Sequence, residues 1–183
     1  MANTSATGGY LAPGGPPLPA DIGLEDILQP MVAGITGLAG QYVRPRWQPK
    51  PPKQPEPSVD WCAIGVTSTT NDANPAIEHD GTGDGEDRYQ RHQQIDVLAS
   101  FYGPNAQGYG QRLSDGIYLP QNGEAIRQSG MVFVEAGELI AVPELVNQQW
   151  IRRYDLRIRL RRKIERTYQV LNILSAAPAV TTG

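Results

Sequence analysis

The run Arg152 to Tyr168, RRYDLRIRLRRKIERTY, alternates apolar and charged side chains with a period of two. Successive side chains of a strand point to opposite faces, so Leu156, Ile158 and Leu160 share one side and Arg157, Arg159 and Arg161 the other. The period predicts one long, half-buried strand with a row of guanidinium groups on its far face. About half of the chain's 16 lysines and arginines fall in this run. Such a row calls for an anionic counterpart: nucleic acid, an acidic neighbour in the sheet, or the acidic surface of another subunit.

The rest of the composition narrows the class. At 183 residues, folding hides roughly 70% of the unfolded chain's surface around a single core. A net charge of -3 and a pI near 5.4 argue against a dedicated nucleic-acid binder, which is usually basic overall. One cysteine, Cys62, excludes an intrachain disulfide and fits a small core residue in a reducing compartment. No basic region followed by an apolar stretch opens the chain, and no window reaches the ~18 apolar residues of a membrane span. The expectation is a soluble protein without membrane contact, for which the sequon at Asn3 is accidental.

Along the chain, residues 1–20 are rich in Gly, Pro, Ala, Ser and Thr and read as a flexible arm. Leu24, Ile27, Leu28, Met31, Val32 and Ile35 then recur at helical spacing, with Asp21 as N-cap, Gly37 to Gly40 as the stop and Pro30 as an interruption that bends the helix or moves its start. Gln41 to Trp47 reads as a short strand, followed by a stiff proline-rich spacer through Pro57. Trp61 to Thr70 reads as a strand. Ile77 to Asp80 and Arg88 to Phe101 flank GTGDGED as a long hairpin. Pro104 opens a second helix through Ala106, Tyr109, Leu113 and Ile117, and Glu124 to Gln128 makes a helical turn. Met131 to Glu135 and Leu139 to Val142 read as a strand and a second hairpin arm before the arginine-rich strand. Together these predict an α+β fold: a mostly antiparallel or mixed sheet with long hairpins, flanked by about two α-helices, in one domain over 21–175 with a small-residue tail at 176–183.

The chemical motifs are sparse. Asp80, Thr82, Asp84 and Gly85 sit at positions one, three, five and six of a calcium loop, but Arg91 stands where the bidentate glutamate belongs, so the loop reads as a polar hairpin tip. The glycines lack the helix and Lys-Ser or Lys-Thr pair of a phosphate loop. His79 and His92 lie on opposite hairpin arms and could approach each other, but no third metal ligand accompanies them. No nucleophile elbow is present. The reading is therefore not an enzyme, with no cofactor and no metal. In VRPRWQPKPPKQP, Val43 to Pro55, Arg44, Arg46 and Trp47 precede a rigid extended arm, a combination suited to protein contact or, equally, to covering a sheet edge. Trp61 and Trp150 read as core or rim aromatics at strand starts.

Five segments carry a resemblance: GITGLAG (Gly34 to Gly40), VRPRWQPKPPKQP, DWCAIGV (Asp60 to Val66), SFYGPNA (Ser100 to Ala106) and VPELVNQQWIRRYDLRIRLRRKIERTY (Val142 to Tyr168). In this order, over about Leu24 to Leu174, they resemble the neck terminator proteins of tailed bacteriophages. The long arm before Asp21, Pro30 and Cys62 depart from that pattern. The resemblance implies a structural virion protein related to tail terminators: a ring, often of six subunits, that ends the tail tube and joins it to head-completion or connector proteins. It implies assembly in the host cytoplasm, location in the virion neck, and DNA passing through the lumen. Closure of a ring needs two different complementary patches on each copy. The candidates are Arg157, Arg159 and Arg161 with Arg44, Arg46 and Trp47, set against the acidic hairpin residues Asp80, Asp84, Glu86 and Asp87. The alternative is a DNA-contacting strand, 152–166, with Arg153, Arg162 and Lys163 facing phosphates.

Overall fold

The structure, a computed structural model, describes residues 3–146 and 148–173. The expected tail at 176–183 lies outside the described residues. In chain order the elements are α1 (Ile22–Thr36), a 3-10 turn (Gly40–Tyr42), β1 (Val43–Pro45), β2 (Trp61–Asn71), β3 (Ala76–Asp80), β4 (Glu86–Tyr102), α2 (Ala106–Gly116), α3 (Glu124–Gln128), β5 (Met131–Ala141), β6 (Glu144–Val146), β7 (Gln149–Ile151) and β8 (Arg153–Tyr168). The class is α+β. Strands order as β1-β2-β4-β8-β5, with β3 paired to β4 and β6 to β7.

The chain divides into two compact units. One comprises Leu18–Asp72 and His92–Lys163, the other Met1–Pro17, Ala73–Arg91 and Ile164–Gly183. In the larger unit β1 runs parallel to β2, and β2 and β5 run antiparallel to β4 and β8 respectively. Side-chain bonds from Gln93 to Arg162, Asp96 to Arg159 and Ser100 to Asp155 run in opposite chain senses, the ordering of an antiparallel β4–β8 pair.

The arginine-rich strand has the expected alternation. Leu156, Ile158 and Leu160 are fully buried. They meet Ile95, Val97, Ala99 and Phe101 of β4, Cys62 and Ile64 of β2, and Leu24, Leu28, Met31 and Val32 of α1 in one core. The α1 positions fall at i, i+4, i+7 and i+8, a single apolar stripe. That stripe, with Ala106 and Leu113 of α2 and Ile126 of α3, makes the helical layer over the sheet. On the opposite sheet face, Val146 and Ile151 of the β6–β7 hairpin pack on Trp61, Ala63 and Tyr102.

Several local expectations change. α1 runs unbroken through Pro30, and Asp21 caps it through its backbone carbonyl, which accepts from Leu24 and Glu25, with no side-chain bond. Gly37, at φ 80, ends it and returns its N–H to Ala33, the left-handed stop that glycine adopts without strain. Gln41 to Trp47 is a 3-10 turn followed by only three strand residues. Met131 to Ala141 is one strand: the register with β8 shifts between Phe133 and Glu135 and again between Ala136 and Leu139. Those irregularities, beside Gly137, imitate a turn in sequence without making one. Trp150 is 71% exposed, neither core nor rim.

In the smaller unit, β3 pairs with the first part of β4 from Ala76–Gln90 to Asp80–Glu86, so the hairpin is where the sequence placed it. His79 lies opposite Asp87, not beside His92. Residues 3–17 have little regular structure, but Gly14 bridges Thr167, and Ser5 donates its N–H to the Gln169 carbonyl.

Replacing Ile158 by alanine should cost about 2–5 kcal/mol in chemical denaturation, the price of a cavity at a fully buried site. Val132→Ala, on a side chain 48% exposed, should stay within about 0.5 kcal/mol.

Candidate functional site

The polar face of β8 in the larger unit is a ladder of opposite charges. Its first rung starts at Arg153, whose Nε and Nη2 bind the two oxygens of Asp155 at 2.7 and 2.8 Å. Arg153 Nη1 donates to Glu144. Asp155 also accepts from the fully buried Ser100 hydroxyl, whose oxygen in turn accepts from Arg46 Nη2. Burial favours deprotonation of Arg153, but its bonds to Asp155 and Glu144 outweigh that, and its pKa is raised. The Arg46 Nε is buried and has no partner among the described residues.

An aromatic stack covers this network. The Arg153 guanidinium lies 5.5 Å from the Tyr102 centroid, Tyr102 stacks on Trp61 at 4.3 Å and 8°, and Arg44 lies 5.9 Å from the Trp61 ring. Two cations thus enclose two rings. Burial pushes the Tyr102 phenol up, and burial likewise pushes up the Cys62 thiol on the core side of β2.

Further along β8, Arg159 joins Asp96 at 3.1 Å and Glu135, and Asp96 also accepts from the Ser68 hydroxyl at 2.9 Å. Burial raises the Asp96 pKa, but the bonds from Arg159 and Ser68 prevail, and the net shift is downward. Arg161 reaches Asp72 at 2.6 Å. Arg157 is exposed and makes no ion pair among the described residues. Of the three counterparts open to the row, acids of the same chain therefore engage these two: Asp96 and Glu135 in the sheet hold Arg159, and Asp72, just past the end of β2, holds Arg161.

Arg153, Arg162 and Lys163 do not share a face. By strand alternation Arg162 lies on the side of Leu160, where its Nε binds Gln93 Oε1 at 2.8 Å and its Nη1 the Pro19 carbonyl at 2.6 Å. Lys163 shares the side of Arg161. Arg44 also holds the Gln41 and Lys53 carbonyls at 3.1 and 2.8 Å, tying the proline-rich spacer down. Trp47 remains 69% exposed at φ 51, a left-handed conformation that a bulky residue adopts only where its surroundings impose it. Gly65 permits that placement, since a Cβ there would stand 3.0 Å from both Trp47 Cζ3 and Arg46 Cβ. Beside Trp47 opens a groove of about 830 Å³ lined by Ile22, Glu25, Pro45, Pro49 and Val66 among others.

The acidic hairpin residues lie in the smaller unit and are largely self-compensated. Asp80 pairs with Arg88 at 2.5 Å and accepts from the Thr82 N–H and hydroxyl; those Thr82 bonds lead in lowering its pKa. Asp87 meets His79 at 2.8 Å, Glu86 lies 3.6 Å from Arg88, and Asp84 is exposed.

This arrangement has the marks of a structural part: ion pairs used as internal ties, with large aromatics left outside. The model of the phage neck terminator protein family matches residues 23–183. The chain belongs to that family. No curated protein gives a significant match. Membership makes this a structural protein of the phage particle, acting in the neck among other head and tail proteins. Among the described residues of this neck terminator protein, no helix is long and apolar enough to cross a membrane.

Sequence reading missed the acids that complete the arginine row. Asp155 was legible in principle, because its even spacing from Arg153 and Arg157 puts it on their face. Asp72, Asp96, Glu135 and Glu144 come from other strands and loops, and only register brings them there. Asp96→Asn should lower stability at neutral pH. A depressed carboxyl stabilises the fold above its ordinary value of 3.8 and loses that contribution as pH falls through the lower folded value, so the variant's urea midpoint should also depend less on pH in that range. Asp155→Ala, which strands the Arg153 and Ser100 donors, should cost about 1–3 kcal/mol by the same assay.

Proposed function

We propose that the protein closes into a ring of identical copies, six by the likeness to tail terminators, which ends the tail tube, joins it to head-completion proteins and leaves a lumen for DNA. Residues 21–175 act as the wedge of that ring, and assembly takes place in the host cytoplasm. The observation that carries the reading is the exposure of large side chains on separate elements of the larger unit: Trp47 at 69%, Leu145 at 59% and Trp150 at 71%. Leu145 and Trp150 are direct cross-strand partners on the β6–β7 hairpin. Tryptophan with its neighbours in such settings dominates interface energetics, and a ring requires two unlike patches per copy.

Arg157 and Arg44 complete the patches as charged contacts, with Asp84 of a neighbouring copy as a fitting acid. Arg159 and Arg161 contribute to association through the rigidity of the ladder, and Arg46 through its hold on Ser100. Because Arg153, Arg159 and Arg161 have acids beside them, phosphate contact along 152–166 is the weaker reading.

Trp47→Ala combined with Trp150→Ala should reduce the ring to single copies in sedimentation at micromolar concentration, with an unchanged far-UV circular dichroism spectrum. A ring that survives the double substitution contradicts the assigned patches, and a wild-type protein that stays monomeric even beside its head and tail partners contradicts the ring. Fluorescence anisotropy with duplex DNA at two salt concentrations should show no steep salt-dependent binding; a strong dependence would favour the DNA-contacting strand.

A further inference from the structure

The smaller unit contains a histidine whose two ring nitrogens both face oxygen acceptors. His79 Nδ1 lies 2.8 Å from Asp87 Oδ1, and Nε2 lies 2.9 Å from Asn172 Oδ1. The Asn172 amide cannot be turned round to relieve this, because its Nδ2 donates to both the Gly81 and Gly83 carbonyls at 3.0 Å. Reversal would set Oδ1 against two carbonyl oxygens. The Asn172 backbone N–H is spent on the Asp84 carbonyl at 2.9 Å.

A neutral imidazole has one N–H and one lone pair. Either tautomer therefore leaves one nitrogen lone pair against an oxygen. Only the imidazolium donates to both at once. The site is shaped for Asn172: a Cβ on Gly85 would stand 2.6 Å from Asn172 Oδ1 and 2.8 Å from its backbone nitrogen.

We propose that His79 is a proton-dependent clamp that holds Asn172, and with it the end of the described chain, against the β3–β4 turn. Protonated, the ring bridges Asp87 of β4 to Asn172. Deprotonated, it keeps its N–H on the Asp87 carboxylate, the stronger acceptor, and turns a lone pair toward Asn172 Oδ1, which weakens the hold on Asn172. The charges around the ring agree with this. Asp87 comes from β4 and Asp80 from β3; Arg88 offsets Asp80 by pairing with it and approaches Glu86. Glu78 alternates to the other side of β3, Asp84 is exposed in the turn, and Gln169 to Ile173 bring no charge. The bonds to Asp87 and then Asn172 raise the His79 pKa above the ordinary value.

The sign follows from that direction. A group raised on folding contributes fully below its unfolded value near 6.5 and loses the contribution as pH rises through the folded value. The clamp is closed in mildly acidic solution and opens toward alkaline pH.

The test is a proton–carbon NMR titration of His79 in the full chain, with amide exchange at Asn172 followed over the same range. The His79 midpoint should lie above 6.5 and fall in Asn172→Leu. Asn172 protection, corrected for intrinsic exchange, should drop as the ring deprotonates, by about tenfold for each unit of upward shift. His79→Gln should show no such pH-dependent drop. A midpoint at or below 6.5, or one that ignores Asn172→Leu, would overturn the proposal, as would Asn172 protection that does not follow the titration.

Discussion

The two-residue period of β8 is the constraint on which the larger unit depends. It places Leu156, Ile158 and Leu160 in the core, and in the same register brings Arg159 against Asp96 and Glu135 and Arg153 against Asp155 and Glu144. A slip of one residue would bury guanidinium groups and expose the core. The apolar face supplies most of the free energy, since exposed ion pairs contribute about 0–1 kcal/mol each. The charged face acts mainly on uniqueness: wrong registers leave Asp96, Asp155 or Ser100 without partners, and desolvated polar groups without partners are costly.

This division bears on how a neck protein can associate. A row of unengaged arginines would bind any polyanion. With their charges largely met by the same chain, those arginines give stiffness in place of attraction, which agrees with the net charge of -3. In the proposed ring, specific contact falls to shape and apolar surface. Trp47 is set by a left-handed backbone with its ring edge against Gly65, and Leu145 and Trp150 are presented by a hairpin anchored through Val146 and Ile151. The smaller unit follows the same economy, meeting its acids with Arg88 and His79.

What the sequence revealed follows from the range of each signal. Periodicity is local, so β8, the core face of β4, the stripe of α1 and the β3–β4 hairpin could all be read from it. Gly37 announced the end of α1 because its left-handed turn is a property of one residue. Non-local features were hidden. The parallel pairing of three-residue β1 with β2 has no period to reveal it, and the bulges in β5 looked like a turn at Gly137. Asp72 and Asp96 carry no mark that assigns them to Arg161 and Arg159. Asn172 carries no mark in the sequence that pairs it with His79, and its role emerges only where the hairpin turn offers two carbonyls and an imidazole.

The central claim is that the arginine face of β8 is completed by acids of its own chain. The most direct measurement is a double-mutant cycle on Arg159 and Asp96, with urea unfolding of the wild type, Arg159→Ala, Asp96→Ala and the pair. The account predicts that the double variant loses less stability than the two single losses combined, because each single change already breaks the shared bond. Strict additivity would show that the two groups do not interact in solution and would contradict it.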